Sequence, residues 1–192
     1  LGDFDLLLKM NDFFGSGRLD SSAKESNKST NMILLLLPFL AFWILLPFDY
    51  MLGSIAGIAA CGLVVLLYFW RKPTPYEQIG IFAALLTGIF IIVSGGAYWQ
   101  ISLPYFVSGI IWLASSMVKI PLTAYYSNKD YGNEEAFKNP LFIQTNRILT
   151  VVWGITYMVL GITALSADQT AFLSLIQGFT WILVFLLGIF TK

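Results

Sequence analysis

Six stretches of this chain are each close to the length a helix needs to cross a lipid bilayer, and none carries a charge at its centre. They run over roughly 32–48, 52–70, 78–94, 101–118, 146–166 and 171–190. A hydrocarbon core takes about 20 mostly apolar residues wound as an α-helix. Six such runs hold too much apolar surface to share the core of one 192-residue soluble domain. The expected fold is therefore all-α: a polytopic helical membrane protein with about six transmembrane helices, most of them joined by tight connections. The residue content agrees, at 57% hydrophobic, 16% aromatic and only 11% charged, where soluble domains carry about a quarter charged residues.

The basic residues give this arrangement a direction. Lys9, Arg18, Lys24 and Lys28 precede the first run, and Arg71 and Lys72 lie between the second and third. Lys119, Lys129, Lys138 and Arg147 lie in or beside the connection between the fourth and fifth, and Lys192 ends the chain. With an even number of spans all eleven fall on one side, while the opposite connections near 49–51, 95–100 and 167–170 contain none. The positive-inside rule then places both termini and the two basic loops in the cytoplasm. Removing or adding a span would scatter the charges over both faces. Trp70 and Tyr76 on one side, and Tyr98 and Trp99 on the other, fit interfacial aromatic belts.

Two segments are expected: residues 1–31, a cytoplasmic N-terminal amphipathic piece and flexible linker, and residues 32–192, the six-helix transmembrane domain. Within 3–14, Phe4, Leu7, Leu8 and Phe14 form a helical stripe opposite Asp5, Lys9 and Asp12. Such a stripe suits a helix lying in the membrane interface, or the tail of a preceding soluble domain. Residues 15–31 are rich in Gly, Ser and Lys and read as a linker. Leu1 in place of Met points to a start after processing or truncation, and no secretory signal is read in residues 1–20. Pro38, Pro47 and Pro104 are expected to kink the spans they lie in or near.

Several function classes are set aside by composition. Zero formal charge gives no basic footprint for nucleic acid. The chain has no His and a single Cys, Cys61, so the commonest metal, haem and general-base chemistry is missing. No phosphate loop, paired-carboxylate motif or nucleophile with an adjacent base is present, so neither a cofactor nor an enzyme activity is expected.

Three groups of residues remain. Gly53, Gly57 and Cys61, and likewise Gly80, Ala84 and Gly88, recur at four-residue spacing, which lets helix backbones approach closely. Packing within one chain is the simpler use of these faces, ahead of a dimer interface. Gln177 is the one strongly polar residue deep in a run, read as interhelical glue ahead of a substrate ligand. Lys119 ends the fourth run, and Asn146 with Arg147 begins the fifth, with Thr150 and Trp153 one and two turns further on. Snorkelling to lipid headgroups is the plain reading of these cations. An anion or headgroup contact using the first N–H groups of the fifth helix is the sharper one.

The passage Lys119-Ile120-Pro121-Leu122, a polar loop, then Asn146-Arg147-Ile148-Leu149-Thr150-Val151-Val152-Trp153-Gly154 resembles the bacterial intracellular septation protein A family over roughly residues 64–165. Members of that family often carry a further basic residue where Ile120 stands. The resemblance implies a small polytopic inner-membrane protein of the cell envelope, linked to division or wall synthesis, with no catalytic residues to carry over. The expected function is a non-catalytic integral protein that contacts membrane lipids and other membrane proteins or itself. A small transporter or channel, with a dimer as one form of it, is the alternative, with a polar path reaching Ser54 or Gln177.

Overall fold

The computed structural model describes residues 32–166. The N-terminal stripe and linker expected in 1–31, the sixth run at 171–190 and Gln177 lie outside the described residues. Within that range the chain is helical, with no strand. Its helices are α1 (Met32–Leu45), α2 (Tyr50–Leu67), α3 (Pro75–Val93), α4 (Leu103–Ser116), α5 (Leu122–Ser127) and α6 (Pro140–Ser166). Short 3₁₀ turns cover Tyr98–Ser102, Asn128–Tyr131 and Asn133–Lys138. Three helices, α2, α3 and α6, are long and apolar enough to cross a membrane.

Local chemistry sets most of the boundaries. Asp49 caps α2, its Oδ1 accepting from the Leu52 N–H at 2.7 Å. Thr74 caps α3 with Pro75 at the first helical position, and Glu77 completes a reciprocal capping box. α1 stops at Leu45, two residues before Pro47, whose ring disfavours helical geometry in the residue ahead of it. Pro104 sits in the first turn of α4, where its missing N–H costs nothing. Of the three prolines expected to kink spans, only Pro38 lies beyond the first turn of a helix. The turn after α3 needs left-handed backbone at two successive residues, and Gly95 (φ +80°) and Gly96 (φ +69°) supply it.

The fifth run starts earlier than its hydropathy implied. α6 begins at Pro140 and not near Asn146, with Asn139 Oδ1 accepting from the Leu141 N–H at 3.0 Å. Hydropathy marks where lipid contact begins, whereas a cap and a proline mark where the helix begins. At 1.5 Å per residue the 27-residue α6 is about 40 Å long, roughly 10 Å more than a hydrocarbon core.

The close contacts fix the direction of each helix. Gly53 meets Leu46 and Gly57 meets Phe42, so α1 and α2 run antiparallel. Gly88 meets Ile58 and the Cys61 thiol donates to the Ile81 carbonyl, so α2 and α3 do the same. Gly109 lies on Met158, Leu113 on Gly154 and Phe106 on Gly161, an antiparallel seam between α4 and α6. This up-and-down order brings Arg71, Lys72, Lys119, Lys129, Lys138 and Arg147, all the basic residues described, to one end of the bundle.

α6 shows why both of its faces are apolar. Asn146, Thr150, Trp153, Tyr157, Leu160 and Ala164 form a buried stripe. Ile148, Val152, Ile155, Val159 and Ile162 form an exposed one at the same helical spacing. A helix that is apolar outside as well as inside suits lipid as its surroundings. α2 and α3 behave alike, exposing Ile55, Leu63 and Leu66, and Phe82, Leu86 and Ile89. Inside, Trp43 stacks between Tyr105 (5.4 Å) and Tyr157 (5.1 Å), joining α1 to α4 and α6. Trp112 and Trp153 extend that aromatic centre, each ring pair adding about 0.5–1.5 kcal/mol beyond burial.

All five small residues singled out by spacing, Gly53, Gly57, Gly80, Ala84 and Gly88, are buried inside the chain. A Cβ at Gly53 would lie 2.6 Å from the Leu46 backbone nitrogen and 2.7 Å from its Cα, atoms that no rotamer change can move. One at Gly62 would meet nothing within 4 Å. Gly53→Ala is therefore expected to destabilise by about 1–3 kcal/mol. Gly62→Ala should be neutral or stabilising by up to about 1 kcal/mol, the helix-propensity difference. Thermal unfolding of the two variants in one detergent checks this; equal melting temperatures would refute the contact.

Candidate functional site at the basic end

Two polar clusters lie at the basic end, and they differ in kind. The first joins α5 to α6. The Thr123 hydroxyl donates to the Asn146 carbonyl at 2.6 Å and lies 2.7 Å from the Thr150 hydroxyl, which itself bonds the Asn146 carbonyl at 2.8 Å. Asn146 Nδ2 donates to the Phe142 carbonyl, and its Oδ1 accepts from the Ser127 hydroxyl at 3.0 Å. Every member is buried or half-buried, so these bonds are made away from bulk water and fix α5 against α6.

The structure thus separates the five residues grouped by sequence around an anion contact. Asn146 and Thr150 face inward within this network, and Trp153 is buried in the aromatic centre. Lys119 and Arg147 are exposed, and Arg147 Nη2 donates to the Val118 carbonyl at 3.3 Å. Residues 146 and 147 are neighbours in sequence but about 100° apart around the helix, which sends them to opposite environments. Pro140 has no N–H, so the first N–H groups of α6 lie at 141–143, ahead of Asn146, and Asn139 caps those of Leu141 and Phe142.

The second cluster lies where the α2–α3 loop meets α5. Glu77, in the first turn of α3, is fully buried. One carboxylate oxygen accepts from the Thr74 backbone N–H at 3.0 Å, and the other lies 2.8 Å from Arg71 Nη2. The Arg71 side chain is 13% exposed, with its guanidinium 5.7 Å from the centre of the Tyr68 ring. The Thr74 hydroxyl, which also accepts from the Glu77 N–H at 3.1 Å, pairs with the Tyr126 hydroxyl at 2.9 Å. Tyr76 donates to the Ile120 carbonyl at 2.5 Å and meets Tyr125 edge-on. Two loops far apart in sequence are held together here. Burial raises the Tyr126 phenol well above its ordinary pKa of 10.0, the Thr74 bond opposes this, and the Glu77 charge adds to it.

Sequence reasoning assigns Glu77 no role. The signal was present in Thr74-Pro75-Tyr76-Glu77, a capping-box spacing with proline at the first helical position. Nothing in that pattern says that Arg71 folds back onto the same carboxylate.

The remaining polar residues inside the bundle are of two kinds: some bond their own helices, whereas the buried hydroxyls of Ser54, Ser108 and Tyr157 have no hydrogen-bond partner among the described residues. Thr87, Ser115 and Ser116 donate to carbonyls of their own helices. Ser54 is fully buried beside Gly53 and Gly57. Among the described residues no group of His, Cys, Asp and Glu could hold a metal ion. No family model, curated protein or solved structure matches the chain.

Removing one member of a buried ion pair leaves the other charge unpaired, at a cost of about 3–5 kcal/mol. Arg71→Leu should cost that much, and Arg71→Leu with Glu77→Leu clearly less, because no charge is then stranded. Denaturant titration of both variants decides it; a double variant worse than the single one would contradict the buried pairing. The Tyr126 shift has a sign that can be tested separately. A raised phenol pKa means the folded chain holds its proton more tightly than the unfolded chain. The stability this confers is complete below pH about 10 and is lost as pH climbs through the higher folded value. Melting temperatures from about pH 8 to about pH 11 should fall less steeply in Tyr126→Phe than in the parent.

Proposed function

We propose that this chain is a non-catalytic integral membrane protein of a bacterial inner membrane, working through contacts with lipid headgroups and other membrane proteins. In this reading it has six spans, both termini are cytoplasmic, and the described basic end faces the cytoplasm. The observation that carries it is the division of labour in the Lys119–Trp153 passage. Asn146, Thr150, Thr123 and Ser127 are turned inward and bonded to one another, whereas Lys119 and Arg147 face outward at the rim of an apolar surface. Cations in that position suit phosphate headgroups, with their stems lying along apolar surface. The resemblance of the same passage to the septation protein A family supports an envelope role, as does the lack of a nucleophile–base pair in the sequence.

Native mass spectrometry of the protein released gently from its own membrane tests the proposal. A retained protein partner or stoichiometric anionic lipid is the expected result. Arg147→Ala should reduce bound anionic lipid more than Lys138→Ala, because Lys138 is exposed and pairs with Glu135 at 2.7 Å. Equal losses would leave only unspecific headgroup attraction. A bare protein that carries solute in liposomes would replace this reading with transport. Orientation has its own check, since the lone Cys61 is buried and gives little background. Tyr131→Cys should react with a membrane-impermeant reagent from the cytoplasmic side, and Phe48→Cys from the opposite one.

A further inference from the structure

The Arg71–Glu77 cluster holds several polar atoms that its own contacts leave unfilled. Arg71 Nε and Nη2, Glu77 Oε1 and the Tyr68 hydroxyl are all buried without a hydrogen-bond partner. Nη2 and Oε1 are 2.8 Å apart, close enough for a strong ionic contact but off the line of a hydrogen bond. Glu77 itself is fully buried, so bulk water does not reach its carboxylate. Buried donors and acceptors are nearly always paired, with protein or with ordered water.

What could fill these positions follows from their charges. An anion drawn to the guanidinium would meet the Glu77 carboxylate, and a cation drawn to the carboxylate would meet Arg71. The pair is neutral, and it presents N–H donors and a carboxylate acceptor together. A small neutral molecule that both donates and accepts satisfies both. We propose that Tyr68, Arg71 and Glu77 enclose a hydration site, in which ordered water accepts from the Arg71 N–H groups, donates to Glu77 Oε1 and meets the Tyr68 hydroxyl. A buried water typically makes about three hydrogen bonds, which is the number of side chains offered here. Water at this site completes the junction that the Thr74–Tyr126 and Tyr76–Ile120 bonds make between the two loops. It also places exchangeable protons beside a carboxylate sealed from bulk solvent.

Radiolytic labelling of the intact protein in detergent tests this. Ionising pulses split a bound water where it sits and oxidise the side chain beside it. Shortly after mixing into heavy-oxygen water, exposed Tyr131 should carry heavy oxygen alone, whereas half-buried Tyr68, whose hydroxyl is buried, should carry a light-oxygen product as well, from slowly exchanging bound water. A Tyr68 product with no more light oxygen than that of Tyr131, or no oxidation of Tyr68, overturns the proposal. The parent protein alone decides the matter. In Arg71→Met with Glu77→Met, the light-oxygen product at Tyr68 should vanish if the variant folds.

Discussion

Inside a bilayer, helices gain little from hiding apolar surface, because lipid tails are as apolar as leucine. What holds them together is close contact, and this bundle depends on it at every seam. Where α1 turns into α2, Gly53 brings the α2 backbone onto that of Leu46. The Gly57 seam lets the Phe42 ring lie where a side chain would otherwise stand, and Gly80 does the same for Leu35. Across the bundle Gly109, Gly154 and Gly161 do this for α4 and α6. The aromatic centre fills the space between these seams, with Trp43 clasped by tyrosines from two other helices.

The two ends of the bundle solve a different problem. Here the apolar helices end, and polar groups must be satisfied beside apolar surroundings. At one end Gln100 is buried and accepts from the Ala97 N–H at 2.7 Å while donating to the Ser94 hydroxyl, closing the turn after α3. At the basic end an ion pair, a capping box and a tyrosine–threonine bond tie the α2–α3 loop to α5. The Thr123–Asn146–Thr150 network then ties α5 to α6. The helices are thus joined at the basic end by chemistry and along their length by shape. The outward-facing groups of this body are mainly apolar side chains along its length, with the cations Lys119, Lys138 and Arg147 and the carboxylates Glu134 and Glu135 exposed at the basic end.

Much of this was legible in the residue order. The four-residue spacing of Gly53 and Gly57, and of Gly80, Ala84 and Gly88, marked two packing faces without any coordinates. The placement of lysines and arginines implied an up-and-down order, which the close contacts of α1 to α4 and α6 reproduce among the described residues. The Gly109–Gly154–Gly161 seam went unread, because its members lie on two helices and only the fold aligns them. The start of α6 was misplaced for a related reason. Hydropathy is averaged along a run, while Asn139 and Pro140 act at single positions.

Length, apolar content and charge placement by themselves implied what the described residues show, helices that are apolar on their outside with the basic residues at one end. They also marked Lys119 and Arg147 as cations at the ends of apolar runs. Only the tertiary structure decided that Asn146, Thr150 and Trp153 turn away from those cations into the interior. Only it decided that Glu77, an unremarked residue at a helix start, is buried against Arg71. Both are questions of which side of a helix meets which neighbour, and a rotation of about 100° per residue changes that answer completely. Composition has no access to that angle; packing sets it.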